Sequence, residues 1–371
     1  MIYLDNAATT FPKPPEVINA VNDILTNHGG NPGRGGHFFS RICGDKIFEC
    51  RENMAKLIKA DNPENIIFTK NATEAINLAI KGVVSRGDEI IISSMEHNSV
   101  LRSAVNMEKI GVTVKIAKAD LSGYVSPQEI ELLITDKTKM ICVIHASNIV
   151  GTVNPIKEIS HLARKHNIIT LIDCAQTGGI LPINAADFDM LAFAGHKGLY
   201  GPFGTGILYI RNGLNIDTLI EGGTGSFSES ALMPLSSPDR YEAGTVNACG
   251  IAGLNEGIKF VLRENVYEKE KELSKRLKEL LFNIKGIHVL GKNDVGVFGI
   301  LFDNKDCVEA ARILDEKYGI ASRAGLHCAP MAHRTLGTIS KGLLRLSVGY
   351  FNTIEDIERA ALALEKIILY N

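Results

Sequence analysis

The chain has 371 residues, 45% of them hydrophobic, and a formal net charge of −2; that is enough apolar content for a large core, and the length suggests about two domains. The near balance of charge argues against broad binding to nucleic-acid phosphate, which needs a basic face, and no stretch approaches the roughly 18 uninterrupted apolar residues of a membrane span. Seven cysteines, an odd number with no CxxC pair, point to reduced thiols in a cytoplasmic setting rather than a disulfide framework, and MIYLDNAATTFPKP lacks the basic and apolar regions of a signal peptide.

From residue 44 the chain alternates helical and strand patterns. GDKIFECRENMAKLIKA (44–60) reads as an amphipathic helix, NIIFT (65–69) as a strand, ATEAINLAIKGVVS (72–85) as a helix and DEIIIS (88–93) as a strand. SVLRSAVNMEKI, VTVKIA, KMICVIH, PIKEISHLARKHN and IITLID continue the alternation to residue 173, and DMLAFAG and GTGILYI add two closely spaced strands. Short Val/Ile-rich runs between helices are the sequence form of a mostly parallel sheet covered on both faces. After about residue 250 the pattern changes. A charged helix (266–284) precedes scattered strands, GVFGILF and LLRLSV, and a last amphipathic helix over 353–369. The reading is an α/β domain followed by a smaller α+β domain, with a ligand site in the cleft between them.

LIDCAQ (171–176) delivers Asp173 to a strand end, where open α/β sheets place ligands. Lys197 follows Gly195 and His196 in a Gly-rich turn between two strands. A carboxylate and a lysine so placed are the pair that pyridoxal phosphate requires, one to keep a pyridine nitrogen protonated and the other to bind the carbonyl carbon. Alone, an Asp at a strand end is more often a cap or turn former and a Lys in a turn is usually a solvated surface residue; only the set carries weight. Asn71, Ala72, Thr73 and Glu74 follow a strand and open a helix, which suits an anion at the helix N-terminus. The same four residues form a capping box, and the two readings are compatible.

Near the end lies RAGLHCAP (323–330), a segment without periodicity, read as an irregular loop. Its thiol, Cys328, stands beside Arg323 and His327, with His333 and Arg334 following; cations there would raise the thiolate fraction. The other six cysteines fall in apolar strands or in helical or helix-flanking patterns and read as small buried hydrophobes.

The order YLDNAATT, ATEAIN, EHNS, HASNIVGT, IDCAQ, GHKGLYGP, EAGTVN, RAGLHCAP, RLSVGYFNT runs nearly end to end and resembles the cysteine desulfurases of the class V aminotransferase family. The resemblance implies a fold-type I pyridoxal phosphate enzyme: a large domain (14–250) with a mostly parallel seven-stranded sheet, and a small α+β domain (1–13 and 251–371) carrying the cysteine loop. It implies that Lys197 binds the coenzyme and moves the Cα proton, that Asp173 and Gln176 contact the ring nitrogen and phenolic oxygen, and that His97 stacks on the ring. Asn148 would face the ring and substrate, and Ala72, Thr73 and His196 the phosphate. Thr245 would reach the phosphate of a neighbouring subunit, making the active unit a homodimer. Arg345 would anchor the carboxylate of L-cysteine, with Arg323 lining the entrance and His37, in the Gly-rich stretch 30–41, a substrate neighbour. Cys328 would take the sulfur as a persulfide, leaving L-alanine, for delivery to an acceptor protein that serves iron–sulfur cluster assembly or another pathway. No metal is implied.

Two departures stand out. Ala194 replaces a hydroxyl residue that many relatives place two positions before the histidine of the lysine motif, and Leu326 replaces the first histidine of a His-His-Cys-Ala pattern. The compact cysteine segment resembles that of the group II enzymes. A selenocysteine lyase, another class V enzyme that leaves Cys328 idle, and a scaffold that has lost catalysis remain as alternatives.

Overall fold

The computed structural model describes residues 1–33 and 36–369. Seven strands make one sheet, in the order Ile66–Thr69, Gly206–Ile210, Met190–Ala194, Ile169–Asp173, Thr138–Ile144, Glu89–Ser93, Thr113–Ala117. Every neighbouring pair is parallel except the two made by Gly206–Ile210. The sequences MLAFA and GILYI are buried at every position, as strands covered on both faces require. One face packs Ile76, Ile80 and Val100 over Ile90, Leu171 and Leu208; the other packs Met54, Leu254 and Ile258 over Ile172, Phe193 and Tyr209. The α/β fold with a mostly parallel seven-stranded sheet is the one expected.

A second, antiparallel sheet runs Arg323–Gly325, Leu343–Ser347, Val297–Phe302, Ile287–Leu290. Ile2–Tyr3 pairs in parallel with Ile320–Ala321, and Ile2 and Leu4 share a core with Leu277, Phe298, Leu344 and Leu364. The N-terminus thus belongs structurally with the C-terminal third. From there residues 5–13 run to the turn that carries Lys197.

Several helices lie outside the sequence reading. Pro15–Thr26, Ala248–Arg263, Cys307–Tyr318 and Pro330–Thr335 are helical, and Phe38–Ile58 starts six residues before the predicted 44. Ala248–Arg263 straddles residue 250, where the change of pattern put the division. Its glycines hide it from propensity yet are required by packing: a Cβ on Gly257 would lie 2.3 Å from the Leu199 carbonyl oxygen, and one on Gly253 2.7 Å from Val21. RAGLHCAP is not wholly irregular either. Arg323–Gly325 forms an edge strand paired with Leu343–Ser347, too short to show a period of two. Among the described residues no helix is long and apolar enough to cross a membrane.

Candidate active site

Five strands end at one edge of the large sheet, and the residues just beyond each end face a common cavity of about 220 Å³. Thr69 leads to Asn71, Ala72 and Thr73; Ser93 to His97; Ile144 to Asn148; Asp173 ends its own strand with Gln176 nearby; Ala194 leads to His196 and Lys197. The opposite wall is Arg323, His327, Cys328 and Arg345 from the second sheet and its loop, with Ala7 and Ala8 from the N-terminal segment. Eleven of the thirteen residues singled out in the sequence therefore meet here. The structure does not bring the other two to this cavity within one chain. His37 is exposed and caps Phe38–Ile58, its Nδ1 accepting the Ser40 N–H at 3.3 Å. Thr245 lines a separate pocket of about 180 Å³ with Lys70, Glu74 and Asn247.

Lys197 sits in a turn closed by the Tyr200 N–H to the Lys197 carbonyl and the Gly201 N–H to the Gly195 carbonyl, both 2.8 Å. A Cβ at Gly195 would lie 2.1 Å from Thr205 Oγ1, so the turn closes only on glycine. Asp173 is buried, with Oδ1 accepting the Ala175 N–H at 2.9 Å. Burial pushes its carboxyl up, while the Ala175 N–H and the Lys197 ammonium pull it back. Burial lowers the Lys197 amine to about 8, against the Asp173 charge and with the help of Arg345 and Arg323. A usable fraction of neutral, nucleophilic amine follows near neutral pH.

The N-terminus of Ala72–Val83 forms the floor. Asn71 Oδ1 accepts the Glu74 N–H at 2.9 Å, so the cap exists, while the Glu74 carboxylate accepts the Lys70 N–H rather than the Asn71 N–H of a full capping box. The amides of Ala72 and Thr73, earlier in the same turn, have no helical acceptor and are available to an anion. Beside them His196 holds Nδ1 buried and without a partner among the described residues. Burial, Lys197 and Lys13 lower that imidazole to about 4, so it is neutral.

His97 caps Asn98–Met107, its Nδ1 accepting the Ser99 N–H at 3.1 Å and facing Ser99 Oγ at 2.8 Å. Ser99 Oγ in turn meets Thr73 Oγ1 at 2.9 Å. Burial, then Lys197 and the nearby arginines, lower His97 to about 4. With Nδ1 accepting the amide, the neutral ring carries its proton on Nε2.

Cys328 is exposed at the cavity mouth and is a free thiol. His327 and Cys328 both take left-handed backbone, φ 49° and 57°, a conformation that costs about 1–2 kcal/mol per non-glycine residue. Two bonds hold it. The Asn98 N–H donates to the Cys328 carbonyl at 2.7 Å, and Asn148 Nδ2 to the His327 carbonyl at 2.8 Å. The sequence expectation that histidines supply positive charge beside the thiol is corrected here. His327 and His333 stack with centroids 5.8 Å apart, both are buried, and burial lowers His327 to about 3 and His333 below its ordinary value. They are neutral packing, and Arg334 is exposed. The cations sharing the cavity wall with Cys328 are Arg323, Arg345 and Lys197.

Arg323 and Arg345 are direct cross-strand partners. Arg345 is 2% exposed, with Nη2 on Asp5 Oδ1 at 2.6 Å and Nη1 on the Asn148 carbonyl at 3.0 Å. Its Nε is buried and without a partner among the described residues, so one donor edge remains for a carboxylate. Like charges facing across a ladder repel, and Asp5 offsets only one of them. Sequence reading used the segment YLDNAATT only as a landmark and missed what it does: Asp5 fixes Arg345, Ala7 and Ala8 line the cavity, and the Ala7 carbonyl accepts Gln176 Nε2 at 3.1 Å. Among the described residues no cluster of three or more His, Cys, Asp or Glu could hold a metal ion.

A doubly covered sheet that gathers a lysine, a buried aspartate and an anion cradle at its strand ends defines an aminotransferase-like site, and the chain belongs to the aminotransferase class-V family, whose profile matches residues 2–360. Among its relatives, a probable cysteine desulfurase from Methanothermobacter thermautotrophicus is 35% identical, covering 99% of this chain and 94% of the relative. Cysteine desulfurase IscS of Dictyoglomus turgidum is 33% identical, with 99% and 94% covered. The solved structure of a cysteine desulfurase from Thermococcus onnurineus superposes with a TM-score of 0.92 at 30% identity over 99% of this chain and 94% of that one. The cysteine desulfurase CsdA of Escherichia coli gives 0.89 at 26% identity, over 99% and 94%.

Proposed function

We propose that this chain is a pyridoxal phosphate-dependent cysteine desulfurase that converts L-cysteine to L-alanine and takes the sulfur on Cys328. The observation that carries the reading is a single cavity lined by an exposed thiol, a half-buried lysine, a buried aspartate and an arginine with a free donor edge. The residues present fit the cofactor. His196 Nδ1 and the first amides of Ala72–Val83 suit the phosphate, Asp173 the ring nitrogen, Gln176 the phenolic oxygen, His97 the ring face, and Lys197 the covalent link. When bound, pyridoxal phosphate supplies the electron sink that makes the Cα hydrogen of an amino acid acidic and weakens its Cβ–S bond.

The chain's own residues then divide the work. Arg345 Nε and Arg323 hold the substrate carboxylate, and Asn148 faces the substrate from beside them. Lys197 accepts and returns the Cα proton, its lowered basicity suiting transfer in both directions near neutral pH. Cys328 as thiolate attacks the substrate sulfur: an S–S bond forms, the Cβ–S bond breaks, and its electron pair stays on carbon, which takes a proton on the way to alanine. The persulfide rests on a loop of four residues between Gly325 and Pro330. So short a loop has little reach, and an acceptor protein must bring its own thiol to it, as expected of a group II enzyme. Thr245 and the exposed apolar side chains Ile18, Leu25, Phe38, Phe39 and Phe203 suit a homodimer in which a second chain completes the phosphate site. The seven free cysteines fit a reducing, cytoplasmic compartment.

The test is turnover of L-cysteine by the wild-type protein supplied with pyridoxal phosphate, with alanine and sulfide measured in the presence of a thiol reductant. Stoichiometric alanine and sulfide support the reading; no alanine from a preparation that binds the cofactor refutes it.

A further inference from the structure

Behind the Lys197 turn lies a cation that the proposed chemistry has not used. The N-terminal segment crosses the back of that turn and is tied to it repeatedly. The Thr10 N–H and Thr9 Oγ1 donate to the His196 carbonyl at 3.1 and 3.0 Å, and Thr10 Oγ1 donates to the Lys197 carbonyl at 2.9 Å. Lys13 Nζ completes the set, donating to the same His196 carbonyl at 2.8 Å and to Thr10 Oγ1 at 2.7 Å. Both acceptors are neutral, and among the described residues no carboxylate pairs with it. Burial alone lowers the amine to about 7. A partly buried ammonium with only neutral acceptors is costly unless an anion comes near.

The balance of charge says which anion. Four cations line the cavity or bond to its wall: Lys13, Lys197, Arg323 and Arg345. Two carboxylates oppose them, Asp173 and Asp5. His97 and His196 are neutral. One substrate carboxylate at the arginine pair leaves a positive excess on the other side of the cavity, where Lys13 meets His196. The titratable group that feels the Lys13 charge there is the His196 imidazole. The residue at the end of the adjoining strand, Ala194, lines the cavity and offers no donor of its own.

We propose that Lys13 is a positioning residue for the phosphate group, holding the His196 turn in place and supplying the positive charge that favours the bound dianion. The inference rests on pyridoxal phosphate being the cofactor. It makes the N-terminal segment part of the phosphate site, a role that composition and motif order do not show.

The test uses apoprotein of the wild type, Lys13→Met and Lys13→Arg, each titrated with pyridoxal phosphate and, separately, with pyridoxal, which lacks the phosphate. Binding is followed by visible absorption. Lys13→Met is expected to weaken pyridoxal phosphate by about tenfold or more, the scale of one partly screened charge contact, and to leave pyridoxal within about twofold. Lys13→Arg, which keeps the charge, is expected to recover most of the loss. If Lys13→Met binds the phosphorylated ligand like the wild type, or loses both ligands equally, the proposal is overturned. A wild type that develops no visible band would instead overturn the cofactor reading, and this inference with it.

Discussion

Lys197 should make the apoprotein less stable than it would be with an uncharged side chain of similar length, and the deficit should depend on pH in a defined window. The ammonium is held by burial at about 8 instead of its ordinary 10.5, a displacement worth about 3 kcal/mol against the charged form. Below pH 8 both folded and unfolded chains carry the proton, so the whole penalty is present. Between pH 8 and 10.5 the unfolded chain holds the proton more than the folded one does, so stability rises with pH; above that the penalty is gone. Lys197→Met keeps most of the volume and removes the charge. Urea unfolding of the two apoproteins from pH 7 to 10.5 should show the variant ahead by about 2–3 kcal/mol at pH 7, with the lead closing toward pH 10.5. Comparing variant with wild type at each pH cancels Lys13, which titrates in an overlapping range. A difference that is flat across the whole range would refute the assignment of Lys197 as a buried amine.

Three further outcomes follow from the same geometry. Asp5→Asn removes the charged partner of buried Arg345 but keeps an acceptor at a site 20% exposed, so it should cost about 2 kcal/mol and raise the KM for L-cysteine more than it lowers kcat; unchanged kinetics would show that Asp5 does not position the carboxylate anchor. Gly206→Ala would put a Cβ 2.3 Å from the backbone carbon of Asn71, where nothing can swing aside. A loss of about 3 kcal/mol or more, together with weak cofactor binding, is expected in thermal unfolding and absorption titration. His97 stays neutral down to about pH 4, so the pH dependence of kcat/KM should show no histidine limb near 6.5; a limb there that disappears in His97→Gln would contradict the buried, Nε2-protonated ring.

The sheet could be read from the chain because strands covered on both faces need unbroken Val, Ile and Leu, and runs such as MLAFA leave little else to form. Asp173 and Lys197 were legible for a related reason: each follows such a run, at the end where ligands collect. The cap at Asn71 was legible because Glu74 stands three residues on. Other features had no local signal. Ala248–Arg263 carries Gly257 to fit against the Lys197 turn and Gly253 to fit against Val21 and Pro202, and that fit is a property of the neighbours rather than of the helix. The work of Asp5, Ala7 and Lys13 depends on contacts with residues 345, 176 and 196, and no spacing within a dozen N-terminal residues shows it. The histidines around Cys328 misled for the opposite reason. Their proximity in sequence was real, but burial discharged them, and charge state is set by packing that a motif does not carry.

The most direct measurement takes the wild-type and Cys328→Ser proteins, supplies each with cofactor and L-cysteine without reductant, and weighs the peptide that contains position 328. The wild-type peptide should gain the mass of one sulfur atom as alanine appears, and the serine variant should gain none and lose alanine formation. Alanine produced at the wild-type rate by Cys328→Ser, or a wild-type peptide that never takes up sulfur during turnover, would contradict the central claim.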